Sequence, residues 1–132
     1  MSNLLLRTFL SVPVPNEIVR LQKELKTVVN NHGAKVNWVQ NDNIHLTLKF
    51  IGDTPEDDVD QIGHTIKDII GSTKSMQFKI SGTGCFPKKE RPRILWLGIN
   101  GDLILLQTLA TKINEALDHL GYPKEEKNYL PH

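Results

Sequence analysis

His45 and Thr47 stand two residues apart in the run Asn43-Ile44-His45-Leu46-Thr47-Leu48-Lys49-Phe50-Ile51-Gly52. Polar residues at 45, 47 and 49 alternate with apolar ones at 46, 48 and 50, the period of a β-strand. His45, Thr47 and Lys49 are therefore expected on one face, and Leu46, Leu48 and Phe50 on the face that meets a core. Two residues along a strand separate an imidazole from a hydroxyl by about 6.6 Å. At that spacing one group can move a proton while the other hydrogen-bonds a neighbouring oxygen of the same phosphate. Histidine suits proton transfer because an imidazole titrates near neutrality, so both protonation states are accessible. Taken alone, a His-x-Thr pair is also what an ordinary hydrogen-bonded surface pair looks like. Only its surroundings separate the two readings.

Other side chains carry chemistry of their own. Arg7 and Phe9 share a face of the first apolar strand. Phe9 can stack a nucleobase or ribose, or it can pack in the core. Arg7 can contact phosphate or form an ion pair within the fold, and Lys49 can add positive potential beside Thr47 or remain a solvated strand lysine. Lys88, Lys89, Arg91 and Arg93 form a basic run that reads first as a solvated loop and second as a guide for an RNA backbone. His32, His64 and His119 show no metal-ligand spacing; His32 and His119 lie where helices end, and there the dipole alone favours an imidazole. Gly82-x-Gly84 lacks the third glycine and the following helix of a nucleotide-phosphate loop.

Composition narrows the class. The chain has 132 residues, 39% of them hydrophobic, which is one compact domain spanning residues 1–132 or slightly less. A formal charge of +1 leaves no global basic field for gripping long nucleic acid, so any such contact is local. The single cysteine, Cys85, excludes an internal disulfide and a Cys-cluster zinc site, reads as a small buried hydrophobe, and fits a reducing compartment. The apolar N-terminus is broken by Arg7 and ended by Pro13 and Pro15, too short to span a bilayer and without signal-peptide features. The expectation is a cytoplasmic protein with no membrane association.

These residues need elements to position them. Residues 4–12 alternate as a strand. Pro15 opens a helix with Ile18, Leu21, Leu25, Val28 and Val29 inward and Gly33 as its stop. A short extended piece at 35–39 and a turn at 40–43 lead into the His45 strand at 44–51. Thr54 is expected to cap a second helix, with Pro55 at its first position and Val59, Ile62, Ile66 and Ile69 as its stripe. Strands follow from Met76 and at 94–99, then a helix with Leu103, Leu106, Leu109, Ile113, Leu117 and Leu120 inward and Gly121 as its stop. Trp38 and Trp96 are expected in the core, and the tail is expected to begin another strand. Adjacent strands without a helix between them indicate antiparallel pairing and an α+β fold.

The context of His45 resembles a known family. The segment from Trp38 to Gly52 is similar to the first signature of the two-histidine (2H) phosphoesterases. Arg7-Thr8-Phe9, Gly84-Cys85-Phe86-Pro87 and Pro92-Arg93-Ile94-Leu95-Trp96-Leu97-Gly98 continue the resemblance in the same order. Tyr129-Leu130-Pro131-His132 looks like the approach to the second His-x-Thr-x motif. The branch most resembled comprises RNA 2′,3′-cyclic phosphodiesterases, some of which join RNA ends through 2′–5′ linkages.

The resemblance implies a two-lobed α+β fold of antiparallel sheets and flanking helices around a central cleft, with the second lobe incomplete here. It implies a reaction that needs no metal and no cofactor. His45 would donate a proton to the leaving 3′ oxygen, His132 would accept one from water, and Thr47 would hydrogen-bond a non-bridging oxygen. Phe9, Arg7 and Lys49 would contact substrate. The partner would be RNA ending in a 2′,3′-cyclic phosphate, or a cyclic nucleotide, taken by a monomer. The sequence departs from the family at His132, beyond which the second motif's threonine is not present. A binding domain of the same fold that retains RNA or nucleotide without turnover is the alternative expectation.

Overall fold

The computed structural model describes residues 4–31, 33, 36–40, 44–86, 94–125, 129 and 131. The elements run β1 (Leu5–Pro13), α1 (Asn16–Asn31), β2 (His45–Pro55), a single 3-10 turn (Glu56–Asp58), α2 (Val59–Gly71), β3 (Phe78–Phe86), β4 (Ile94–Gly101) and α3 (Leu103–His119). β1 pairs with β2, and β3 with β4, giving two two-stranded sheets among the described residues. The α+β class is as expected; antiparallel pairing of sequence-adjacent strands holds for β3 and β4, whereas β1 and β2 pair across the intervening α1.

Two compact units make up the chain, residues 11–46 and residues 1–10 with 47–132. In the smaller unit α1 buries Ile18, and the Gln22 amide donates to the Val39 carbonyl at 2.7 Å. The extended piece expected at 35–39 does not become a strand; its described residues are irregular, held by that side-chain bond instead of a ladder.

In the larger unit the core is built on α3. Leu106, Leu109, Ala110, Ile113 and Leu117 recur at spacings of three and four, the period that puts them on one helix face, and all are buried. Ile62 and Ile66 of α2 and Leu48 of β2 complete the buried set, and α2 packs on α3. Each buried leucine or isoleucine among them contributes about 1.5–3 kcal/mol when taken from water. The start of α3 is tied to the start of β3 twice: Asp102 N–H donates to Gln77 O at 3.1 Å, and its carboxylate accepts from Gln77 N–H at 2.8 Å. At the far end Gly121 takes φ 98°, a conformation that side chains disfavour, and its N–H donates to Asp118 O at 3.0 Å.

β3 and β4 are antiparallel, with Phe78 opposite Gly101 and Gly84 opposite Trp96, and a bulge between Ile80 and Thr83. Gly84 faces the Trp96 indole so closely that a β-carbon there would overlap the ring.

β1 runs antiparallel to β2, since Glu56 N–H donates to Leu4 O at 3.0 Å while Thr8 reaches back to Gly52. Here the structure corrects the expected helix start. Thr54 does not cap α2; it is fully buried near the end of β2. Its hydroxyl lies 2.6 Å from that of Thr8 and 3.0 Å from Gly52 O, where it satisfies core polar groups. The strand therefore runs on through Pro55, and α2 begins at Val59. The strand expected at the tail is also absent among the described residues: 122–125, 129 and 131 are irregular.

Candidate active site

His45 opens β2, and Thr47 follows at the next alternate position; both are half-buried. The strand extends from 45 because apolar Leu46 and Leu48 alternate with them, and Leu48 is buried. Thr47 is held through its main chain as well. The Tyr129 hydroxyl donates to the Thr47 carbonyl at 2.9 Å. One turn of pleat further, the Phe50 N–H donates to the Glu125 carboxylate at 3.1 Å.

Lys49 departs from the expected cleft-facing lysine. Only 2% exposed, it turns its ammonium inward, donating to Asn114 Oδ1 at 2.6 Å and to Pro123 O at 3.2 Å. Burial lowers its pKa, and the Glu125 and Asp118 carboxylates oppose that shift. A buried cation persists only where acceptors and counter-charges are supplied, and α3 with residues 123–125 supplies both.

Phe50 departs in the other direction. Expected in the core, it is 49% exposed, with the Arg7 guanidinium 5.5 Å from its ring centroid. That separation is within cation–π range, so the ring shields its face beneath a flat cation and not beneath packed side chains. Phe9, two residues beyond Arg7 on β1, is 47% exposed.

The structure thus brings Thr47 and Lys49 together with the 122–129 segment, and Arg7 together with Phe50. His132 and the basic run Lys88, Lys89, Arg91 and Arg93 lie outside the described residues, as do His32, Lys35, the turn residues 41–43, Pro87, Pro92 and Leu130. Tyr129, Glu125 and Asn114 were not anticipated as partners of β2. Tyr129 stood out in the sequence only as part of the approach to a second motif. Burial first, then the nearby Glu125 charge, pushes the Tyr129 phenol up to about 12. Tyr122 is likewise raised to about 12, by burial and by its 2.7 Å hydrogen bond to Asp58. Among the described residues no three His, Cys, Asp or Glu side chains are grouped to hold a metal ion. No helix among them is long and apolar enough to cross a membrane.

A family model described as LigT-like phosphoesterase matches residues 9–96, a span that includes His45-x-Thr47 and ends at Trp96. This chain belongs to the LigT-like phosphoesterase family. Three similar curated relatives are each named RNA 2′,3′-cyclic phosphodiesterase. The protein from Thermotoga maritima is 31% identical over 96% of this chain and 67% of its own length. That from Aquifex aeolicus is 31% identical over 89% of this chain and 61% of its own length. That from Aeropyrum pernix is 28% identical over 82% and 60%. The chain thus spans 60–67% of the length of these relatives. Among solved structures, a Thermus thermophilus protein superposes with a TM-score of 0.80 at 23% identity, covering 96% of this chain and 71% of the other. Escherichia coli LigT, crystallised with 3′-AMP, gives 0.74 at 21% identity over 97% and 70%. At those identities the likeness establishes the LigT-like fold.

Proposed function

We propose that this chain belongs to a metal-independent RNA 2′,3′-cyclic phosphodiesterase that opens the cyclic phosphate to a 2′-phosphomonoester. The observation that carries the reading is the kinship with proteins of that name over nearly the whole chain, with His45 and Thr47 at alternate positions of β2 inside the matched span. In the reaction, water attacks phosphorus and gives its proton to His132. The bond from phosphorus to the 3′ oxygen breaks, and His45 protonates that oxygen. The Thr47 hydroxyl donates to a non-bridging oxygen and so stabilises the charge that builds there. Phe9 offers an exposed face to base or ribose and Arg7 a cation to phosphate, a reading their exposure supports. With the 5′ hydroxyl of a second RNA in place of water, attack on the cyclic phosphorus would break the same bond to the 3′ oxygen, His132 taking the hydroxyl proton and His45 protonating the 3′ oxygen, and leave a 2′–5′ linkage. Both compact units take part in one functional domain, in keeping with a family match that runs through both.

The test is hydrolysis of an RNA oligomer ending in a 2′,3′-cyclic phosphate, in excess chelator, by the parent chain and by His45→Ala. The parent should release the 2′-phosphate, and loss of the general acid should slow it by about 10²–10⁴-fold. Turnover that survives His45→Ala would overturn the assignment. Saturable binding of 2′-phosphorylated RNA by a folded parent without turnover would leave a binding domain in its place.

A further inference from the structure

We infer that Lys49 is a positioning residue: its bond to Asn114 pins β2 to α3 and so fixes where the Thr47 hydroxyl stands. The inference rests on the phosphodiesterase reading and deepens it.

Among the described residues Lys49 is the largest side chain to be fully buried. Its ammonium donates to Asn114 Oδ1 at 2.6 Å and to the Pro123 carbonyl at 3.2 Å. A nitrogen enclosed in this way does not meet substrate, so Lys49 takes no direct part in the reaction. A buried charge is also a poor device for stabilising a fold, because apolar side chains of similar volume often serve as well or better. What a short, charge-assisted hydrogen bond supplies is direction. It holds two elements in one placement where apolar contacts alone would let them slide.

The two elements joined are the ones that matter for Thr47. Asn114 follows Ile113 on α3, where Ile113 and Leu117 are wholly buried, so the acceptor stands on the helix around which the core is built. β2 pairs only with β1 among the described residues, which leaves its other edge without a ladder to set its register. Towards its far end the strand is pinned by Thr54, whose hydroxyl meets that of Thr8. Lys49 is the fully buried pin nearer Thr47. Thr47 and Lys49 are alternate residues of β2, so they lie about 6.6 Å apart along the strand on one face. A slide of one residue would carry the Thr47 hydroxyl about 3.3 Å and turn it to the opposite face. Misplacement of a catalytic group by about 1 Å can already cost about a hundredfold in rate.

The experiment compares the parent chain with Lys49→Met, with the double variant Lys49→Met/Asn114→Leu, and with Lys67→Met, which removes an exposed lysine of α2. Each is made with Thr47 intact and with Thr47→Ala. Turnover of the cyclic-phosphate RNA and the urea midpoint are measured on all of them. Lys49→Met should lower kcat by about tenfold or more with KM within about twofold. In the double variant both partners are apolar, so the urea midpoint should equal or exceed the parent's while kcat stays low. On Thr47→Ala, Lys49→Met should cost less than about twofold, because the hydroxyl it positions is gone. Lys67→Met should behave as the parent.

A parent-like kcat in Lys49→Met, a kcat that recovers along with stability in the double variant, or a loss that multiplies fully onto Thr47→Ala would overturn the inference while the phosphodiesterase reading stands. So would a double variant without a cooperative unfolding transition, since Lys49 would then serve the fold. A folded parent as silent as its His45→Ala variant overturns that reading and takes this inference with it.

Discussion

At the scale of single residues, the fate of a polar group follows from the partners it finds. Thr54 is fully buried, yet its hydroxyl is satisfied by Thr8 and by the Gly52 carbonyl. Thr54→Val keeps the shape and removes the hydroxyl, leaving Thr8 with one partner fewer in a part-buried site. The expected loss is about 1–3 kcal/mol, read as a lower urea midpoint at unchanged slope. A midpoint equal to the parent's would mean that water, not Thr54, satisfies that site. The same logic separates Lys49 from Arg7. Both stand on strands at polar positions; Lys49 meets the Asn114 amide oxygen and the Pro123 carbonyl and is drawn inside, whereas Arg7 lies over the exposed Phe50 ring.

At the scale of elements, the β3–β4 hairpin shows one residue deciding a packing. Gly84 leaves room for the Trp96 ring directly across the ladder. In Gly84→Ala the new methyl meets that ring, and the ring must move or the strands must part. Overpacking of this kind costs about 1–3 kcal/mol. The thermal midpoint should fall, and Trp96 fluorescence in the folded state should change with it; a parent-like spectrum at parent-like stability would refute the close packing. The element boundaries tell a related story. Periodicity located α3 and its buried face because Leu106, Leu109, Ile113 and Leu117 repeat at helical spacing. It did not locate the end of β2, because Thr54-Pro55-Glu56 reads equally well as a helix cap until Thr8 claims the threonine.

At the scale of the whole molecule, the raised phenols make an alkaline prediction. The Tyr122 and Tyr129 pKa values go from 10.0 in the unfolded chain to about 12 in the folded one. Below pH 10 both phenols are neutral in either state and their contribution to stability is complete. As pH rises from 10 through 12 the unfolded chain ionises first, so that contribution is lost. Lys49 has the opposite sign: its lowered pKa lets the folded chain shed the proton first, which raises stability with pH below 10.5. The thermal midpoint of the parent should therefore decline between pH 10 and 12, and Tyr122→Phe or Tyr129→Phe should flatten the decline. Parallel profiles in all three proteins would show that the phenols are not responsible.

What the sequence determined by itself was local or carried by motif. The period of two around His45-x-Thr47 placed both residues on one strand, the period of three and four placed the α3 face in the core, and the ordered motifs named the family. Tertiary structure alone decided which polar groups are buried and what holds them. Thr8 meets Thr54 across 46 residues, Lys49 meets Asn114 across 65, and Tyr129 meets Thr47 across 82. A side chain's charge and period are written at its own position. The acceptors that make its burial tolerable come from elsewhere in the chain, and only folding brings them there.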